Sequence, residues 1–184
     1  MYSVHSFQYT ANHWYTYKYM QHVPPMRAKD WLALAGFILI SEAAGAIGAF
    51  FTAPAITTWY TSLVQPALAP PNWVFGPVWT TLYILMGIAA FMVFRHNEVP
   101  DERRTALLFF FSQLVLNALW SVLFFGQQMI GLAAIELGIL WIAIFGTFTT
   151  FSRVSRFAAW LLIPYLAWVT FAGYLNVVIW LLNK

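Results

Sequence analysis

The sequence predicts an all-α integral membrane protein, a five-transmembrane-helix bundle with its N-terminus in the cytoplasm. The first observation is composition: the 184-residue chain is 61% hydrophobic and only 8% charged, whereas soluble domains carry about 25% charged residues. So little charge cannot cover a water-facing surface, and we expect much of that surface to face lipid. The second observation is that several long stretches contain no Asp, Glu, Lys or Arg. A membrane-spanning helix needs about 20 apolar residues, and these stretches can supply several such helices.

Five spans account for the uncharged stretches. We predict them at residues 31–54, 76–94, 105–125, 129–151 and 157–182. Gly126-Gln127-Gln128 forms a short turn between spans 3 and 4. The loop after span 1, residues 54–72, contains four prolines and no charge. Together the five spans define a predicted transmembrane domain over residues 31–184.

The basic residues that flank the spans predict the orientation. Two precede span 1, three lie between spans 2 and 3, and two lie between spans 4 and 5, whereas only Lys184 lies at the other ends. Lys and Arg accumulate in the cytoplasmic loops of membrane proteins. The N-terminus is therefore predicted inside and the C-terminus outside, with the 54–72 loop on the outer face. We attribute the basic excess to this topology and to membrane-surface charge, and we expect no nucleic-acid partner.

Residues 1–30 are predicted to form a separate N-terminal extension. The stretch YTANHWYTYKYMQHVPP (9–25) is aromatic and polar. It lacks the apolar core region of a secretory signal peptide. We predict a disordered or interfacial tail, with a transit segment or an over-extended start as alternatives.

Several kinds of site have no candidate residues in the sequence. There is no cysteine, which excludes disulfides and thiolate metal sites. The four histidines all lie in the tail or in a loop: His5, His13, His22 and His96. No nucleophile elbow, phosphate-binding loop or zinc spacing occurs. We therefore predict no metal site and no required cofactor, and a porphyrin would be held by shape and stacking rather than by histidine.

Two acidic residues, Glu42 and Glu136, are predicted inside spans. An ionisable residue at membrane depth marks function by default, because burying a charge in lipid is costly. The alternative is a protonated carboxyl that forms hydrogen bonds between helices. The sequence leaves both interpretations open for each residue.

Small residues mark one side of span 1, where Ser41, Gly45 and Ala49 recur every four positions. Small residues at this spacing let two helices approach closely. We favour packing within the chain, with a homodimer interface as the alternative.

Aromatic and amide side chains form stripes on three of the predicted helices. Residues three or four apart share a helix face. The stripes are Phe75, Trp79 and Tyr83 at span 2, Gln113, Asn117, Trp120, Ser121 and Phe124 on span 3, and Trp168, Phe171, Ala172, Leu175 and Asn176 on span 5. Buried amides can simply link helices by hydrogen bonds, and tryptophans can form interfacial belts. Three such faces together favour a pocket for a large, flat, mostly apolar molecule.

Longer motifs resemble a known family. WYTSLVQPALAPPNWVFGPVWTTLY (59–83), QLVLNALWSVLFFG (113–126), Glu136 and PYLAWVTFAGYLN (164–176) occur in order. They resemble the TspO/MBR family of tryptophan-rich sensory proteins and translocator proteins, over about residues 31–183. The resemblance implies a five-helix bundle, commonly a homodimer, that binds porphyrins such as protoporphyrin IX and synthetic isoquinoline carboxamides. Animal members also bind cholesterol, and bacterial members act in tetrapyrrole-linked sensing or regulation.

The resemblance also implies the residues of the site. The implied ligand-binding residues are Tyr60, Pro70, Phe75, Trp79, Tyr83, Asn117, Trp120, Trp168, Phe171, Ala172 and Leu175. Most of these positions belong to the stripes found above from spacing alone. The segment 175–184 lacks the tyrosine of the animal cholesterol motif, so we expect no sterol recognition of that kind.

These observations predict a membrane-embedded binding protein for protoporphyrin IX-like tetrapyrroles and related flat apolar ligands, acting in sensing, regulation or transport. The alternative is an enzyme that degrades protoporphyrin IX in light and oxygen, as some bacterial relatives are reported to do through pocket tryptophans. Trp79 and Trp168 look like those catalytic residues. We expect a bacterial cell membrane as the location, or the mitochondrial outer membrane if the protein is eukaryotic.

Overall fold

The computed structural model describes residues 26–96 and 99–184, and this part of the chain contains helices and no β-strand. The helices are α1 (Ala28–Ile56), α2 (Trp59–Ser62), α3 (Phe75–Phe94), α4 (Pro100–Ser121), α5 (Ile130–Val154), α6 (Arg156–Trp160) and α7 (Ile163–Leu182). A 3-10 turn, Asn72–Val74, precedes α3, and a π-helical turn, Val122–Gly126, follows α4. Residues 33–184 form one compact unit. Residues 1–25 of the predicted N-terminal extension lie outside the described residues, whereas Ala28–Asp30 already belong to α1.

Five helical segments are long and apolar enough to cross a membrane. They are Ala28–Ile56, Asn72–Phe94, Pro100–Gly126, Ile130–Val154 and Arg156–Leu182. At 1.5 Å per residue, about 20 residues span the roughly 30 Å of a bilayer core, which every segment exceeds. The predicted fold class, a five-helix membrane bundle, is confirmed. The cytoplasmic location of the N-terminus stays a prediction.

Prolines mark the starts of two of the helices. Pro100 opens α4, and Asp101 and Glu102 follow in the first turn, where a missing N–H is tolerated and negative charge complements the helix dipole. Pro164 lies in the first turn of α7, after a break in the helix at residues 161–162. The fifth span is therefore two helices, α6 and α7, joined by a turn.

The core is centred on α5, which packs most extensively against α4 and next against α7. Its buried positions recur every three or four residues, as expected for one helix face turned towards its neighbours. They are Ala133, Glu136, Leu137, Leu140, Ile144, Thr147 and Phe151. By contrast, α1 buries only four small residues: Ser41, Ala44, Gly48 and Ala55.

Glycines allow α1 and α3 to touch directly. A Cβ placed on Gly45 of α1 would lie 2.3 Å from the Tyr83 ring, and a Cβ on Gly87 of α3 would lie 2.6 Å from the Ile38 Cα atom. These distances are too short for any side chain, so both positions require glycine unless a neighbour moves. The predicted packing of small residues within the chain agrees with these contacts, while the homodimer stays a prediction.

The loop between α1 and α3 is anchored by ring contacts and by the C-terminal end of α7. In α2, Trp59 packs on Phe124 with ring centroids 5.6 Å apart, and Tyr60 packs on Phe125 at 5.8 Å. Further along, the backbone of residue 64 exchanges two hydrogen bonds with the Asn183 side chain, at 2.9 and 3.1 Å. These contacts hold the loop across one end of α4 and α7, which we call the loop end.

Candidate functional site

A cavity of about 460 Å³ lies towards the loop end of the unit formed by residues 33–184. Its walls come from α1, α3, α4, the π-helical turn and α7, and Tyr60 of α2 also lines it. Most lining side chains are apolar or aromatic, with a few amides and hydroxyls between them. This is the composition of sites that bind small, mostly apolar molecules.

Aromatic rings form two sides of the cavity. Phe75, Trp79 and Tyr83 are four residues apart on α3, so they lie on one face of that helix. The Trp79 and Tyr83 rings stack, with centroids 5.5 Å apart and planes at 26°. Phe75 meets Trp168 of α7 edge to face at 6.0 Å. The rings thus hold one another in place and present flat apolar surface to the cavity.

A hydrogen-bonded chain of buried side chains lies behind this aromatic wall. The Tyr83 hydroxyl donates to Asn117 Oδ1. Asn117 Nδ2 donates to the Tyr165 hydroxyl at 2.9 Å, and that hydroxyl donates to Gln113 Oε1 at 2.9 Å. The chain joins α3, α4 and α7, so it works as the interhelical link that buried amides can provide. It also fixes the Tyr83 ring and, through stacking, Trp79.

A second polar link lies nearer the loop end. The Trp120 indole N–H donates to Asn176 Oδ1 at 3.0 Å, and Asn176 Nδ2 donates to the Ile130 carbonyl at 2.9 Å. Both Trp120 and Asn176 line the cavity. The link holds α4, α5 and α7 together at this level, which keeps the cavity wall in a fixed arrangement.

The two intramembrane acids occupy different places. Glu42 lines the cavity from α1, and its Oε1 atom is buried without a hydrogen-bond partner among the described residues. Glu136 lies in the core with 5% of its surface exposed and does not line the cavity. Both of its carboxyl oxygens lack a hydrogen-bond partner within residues 26–96 and 99–184. Glu42 is therefore the acid that a ligand in the cavity can meet.

The cavity is open on one flank, between α1 and α3. Four small residues of these two helices both line the cavity and are exposed: Ala46, Ala49, Gly76 and Thr80. Away from the loop end the two helices touch where Gly45 lies against the Tyr83 ring. At the loop end, Asn72 donates a long hydrogen bond to the Ile56 carbonyl, at 3.5 Å. The opening is thus bounded at both ends by contacts between the same two segments.

Comparison with known proteins identifies the family. The sequence profile of the TspO/MBR family matches residues 37–181. The chain belongs to the TspO/MBR family. It is 43% identical over 152 residues to the tryptophan-rich protein TspO of Archaeoglobus fulgidus, covering 83% of this chain and 97% of that protein. It is 37% identical to the translocator protein of Bos taurus over 158 residues, covering 85% of this chain and 94% of the relative.

The tryptophan-rich sensory protein of Cereibacter sphaeroides is 33% identical over 147 residues, or 80% of this chain and 89% of the relative. Such matches span nearly the whole length of the relatives, so the described bundle corresponds to the TspO/MBR fold. Together with the five apolar segments, family membership makes this an integral, multi-pass membrane protein.

Nine of the eleven predicted site residues come together around the cavity of this TspO/MBR protein. They are Tyr60, Phe75, Trp79, Tyr83, Asn117, Trp120, Trp168, Ala172 and Leu175. Pro70 lies in the loop and does not line the cavity. Phe171 lines a separate groove between α3 and α7, although its ring lies 5.8 Å from that of Trp168. That the nine residues bind a ligand stays a prediction.

Sequence reasoning missed the contribution of α1 to the site. Glu42, Ala46, Ala49 and Thr52 all line the cavity. Their spacing of three or four residues places them on one helix face, which was the available signal. Within the described residues no group of three or more His, Asp or Glu side chains could hold a metal ion.

Proposed function

We propose that this TspO/MBR protein binds protoporphyrin IX-like tetrapyrroles in the cavity and acts in their sensing, regulation or transport. The observation that carries the proposal is the convergence of aromatic residues from α3, α4 and α7 on one cavity. Relatives named as a sensory protein and as translocator proteins support a membrane role of this class.

The mode of binding follows from the side chains available. A flat macrocycle would stack on Trp79 and Trp168, because aromatic pairs gain free energy beyond the area they bury. No histidine lines the cavity among the described residues, so a porphyrin would be held by shape and ring contacts. No cofactor is needed for this role.

Tryptophan fluorescence tests the proposal. Adding protoporphyrin IX in the dark should quench the emission of the purified protein in a saturable way. Each aromatic contact contributes about 0.5–1.5 kcal/mol, so the full loss of two contacts would weaken binding about 5- to 150-fold. The double variant Trp79→Phe/Trp168→Phe keeps a smaller ring at each position, so we expect it to bind about fivefold more weakly. The matched control is Trp73→Phe/Trp160→Phe, which removes two exposed tryptophans that do not line the cavity. Equal affinity for the two double variants would contradict the assignment of this cavity as the porphyrin site.

A second candidate function is the light- and oxygen-dependent degradation of protoporphyrin IX. Two indoles, Trp79 and Trp168, line the same cavity, and an indole can donate an electron to a photoexcited porphyrin held against it. Illumination with porphyrin in excess distinguishes the functions. Loss of the porphyrin absorption band beyond one equivalent supports catalysis, whereas loss no faster than in detergent alone rejects it.

We also propose a homodimer in the membrane, in a bacterial cell membrane or, for a eukaryotic source, the mitochondrial outer membrane. The mass of the protein–detergent complex, measured by sedimentation with the detergent contribution subtracted, tests the dimer. A single 21.0 kDa chain per complex would reject it.

A further inference from the structure

Among the described residues that line the cavity, Glu42 has the only side chain that can carry a formal charge at neutral pH. Its Oε1 atom is buried and has no hydrogen-bond partner in the described chain. Glu42 lies three residues before Gly45, which contacts the Tyr83 ring, so it shares that face of α1 and lines the cavity together with Tyr83. No Lys, Arg or His lines the cavity within residues 26–96 and 99–184.

The hydrogen-bond donors of the cavity wall are largely committed to other protein groups. The Tyr83 hydroxyl donates to Asn117, and the Trp120 indole donates to Asn176. The indole N–H of Trp168 is buried without a partner among the described residues, but it is neutral and cannot balance a negative charge. The wall therefore offers an acceptor at Glu42 and no positive charge.

This arrangement discriminates between ligands by charge. A carboxylate brought into the cavity would lose its water and would find no basic residue to compensate its charge, and an ionised Glu42 would repel it. A ring N–H or a positively charged nitrogen would instead donate to the Glu42 carboxyl, and hydrogen bonds to ionised groups are the stronger ones. Glu42 keeps an acceptor oxygen in either protonation state.

We infer that Glu42 determines the ligand class of this cavity: flat aromatic rings that present an N–H or a cationic nitrogen inside it, with any carboxylates left outside. The inference rests on the proposed function in assuming that this cavity is the ligand site. It deepens that function, because a porphyrin would have to enter with the ring edge opposite its two carboxylates leading, so that the carboxylates stay at the opening.

Two porphyrins with the same macrocycle but different charges test the inference. Protoporphyrin IX carries two carboxylates, and its dimethyl ester carries none. Binding is followed by tryptophan quenching in the dark at one detergent concentration. The wild-type protein should bind the ester about tenfold more tightly, because carboxylates held at the opening are still repelled by the Glu42 charge, and tenfold is the scale of one screened repulsion between like charges. Glu42→Gln should remove most of that difference by strengthening the binding of protoporphyrin IX, while the ester changes less than about twofold.

Glu136→Gln is the matched control, because it neutralises the other intramembrane acid, which does not line the cavity. It should leave the ratio of the two affinities unchanged. If Glu42→Gln also leaves that ratio unchanged, or if the wild type binds both porphyrins equally, the inference is overturned while the proposed porphyrin binding stands.

A flat cation separates the inference from the porphyrin proposal. Protonated 9-aminoacridine should bind the wild-type cavity, and Glu42→Gln should weaken it about tenfold. If neither porphyrin binds but the acridine binds with this dependence on Glu42, the proposed function fails and the inference stands. If the acridine does not bind the wild type, or binds Glu42→Gln equally well, the inference fails. Thermal unfolding of each variant confirms that the fold is retained.

Discussion

The buried Tyr165 hydroxyl makes a sharp prediction about what holds the bundle together. Tyr165 is 1% exposed, donates a hydrogen bond to Gln113 and accepts one from Asn117, both at 2.9 Å. Tyr165→Phe removes the hydroxyl and keeps the ring, so both hydrogen bonds are lost with little change in packing. Interhelical hydrogen bonds in membrane proteins contribute about 0.6–2 kcal/mol each. The variant should therefore lose about 1–4 kcal/mol of unfolding free energy.

Reversible unfolding in mixed micelles with increasing SDS, followed by circular dichroism, measures this loss. Tyr174→Phe is the matched control, because Tyr174 is 44% exposed on the same helix and should change stability by less than about 0.5 kcal/mol. Gln113→Leu removes one partner, and the double variant Tyr165→Phe/Gln113→Leu should lose less than the sum of the two single losses. Equal stabilities for Tyr165→Phe and Tyr174→Phe would refute the role assigned to the buried chain.

Three further predictions concern the cavity wall and the loop between α1 and α3. Gly45→Ala should lower the melting temperature and weaken porphyrin quenching, because its Cβ would lie 2.3 Å from the Tyr83 ring, whereas Gly36→Ala, with nothing within 4 Å, should be neutral or stabilising. Burial raises the pKa of the Tyr60 phenol, so the folded chain favours the neutral form. The free energy of unfolding should therefore fall as the pH rises above about 10, where the phenol of the unfolded chain ionises. Tyr60→Phe should flatten that fall in unfolding measurements at alkaline pH. Asn183→Ala should loosen the loop, which proteolysis between α1 and α3 would report as faster cleavage.

The helices and the aromatic wall could be predicted because their signals are local. The absence of charge over long stretches gave the spans, and a spacing of four residues gave the common face of Phe75, Trp79 and Tyr83. These are properties of one helix at a time. Pro164 is also a local signal for the break before α7, because a proline lacks the N–H that the helix interior requires.

The part of the site that could not be predicted depends on how helices are rotated against one another. Ala172 lines the cavity, whereas Phe171, its neighbour in sequence, faces the groove between α3 and α7. Adjacent residues differ by about 100° around a helix, so the edge of a stripe is fixed only by packing. The same holds for Glu42: its spacing to Ala46 and Ala49 places the three on one face of α1, but only the packing shows that this face meets the cavity.

Short elements at the loop end also escaped prediction. The helix α2 has only four residues, too few to be stable alone, and it forms against Phe124 and Phe125. Those two neighbours are both buried, which the π-helical turn permits. The turn is closed by a hydrogen bond from the Gln127 N–H to the Val122 carbonyl at 2.8 Å, five residues apart. Such contacts join distant parts of the chain, so no repeating pattern in the sequence signals them.

The open flank between α1 and α3 changes what an affinity means for this protein. The small residues Ala46, Ala49, Gly76 and Thr80 connect the cavity to the apolar side of the bundle, which in a membrane is occupied by lipid. A porphyrin that enters through this flank would reach the cavity from the bilayer, where an apolar ligand is concentrated, so its concentration in the bilayer is the relevant one for describing occupancy. Adding lipid or detergent then dilutes the ligand at constant total amount, and apparent dissociation constants rise in proportion to the volume of that phase. Affinities from different preparations become comparable only when the ligand concentration is expressed as a mole fraction in the bilayer or micelle.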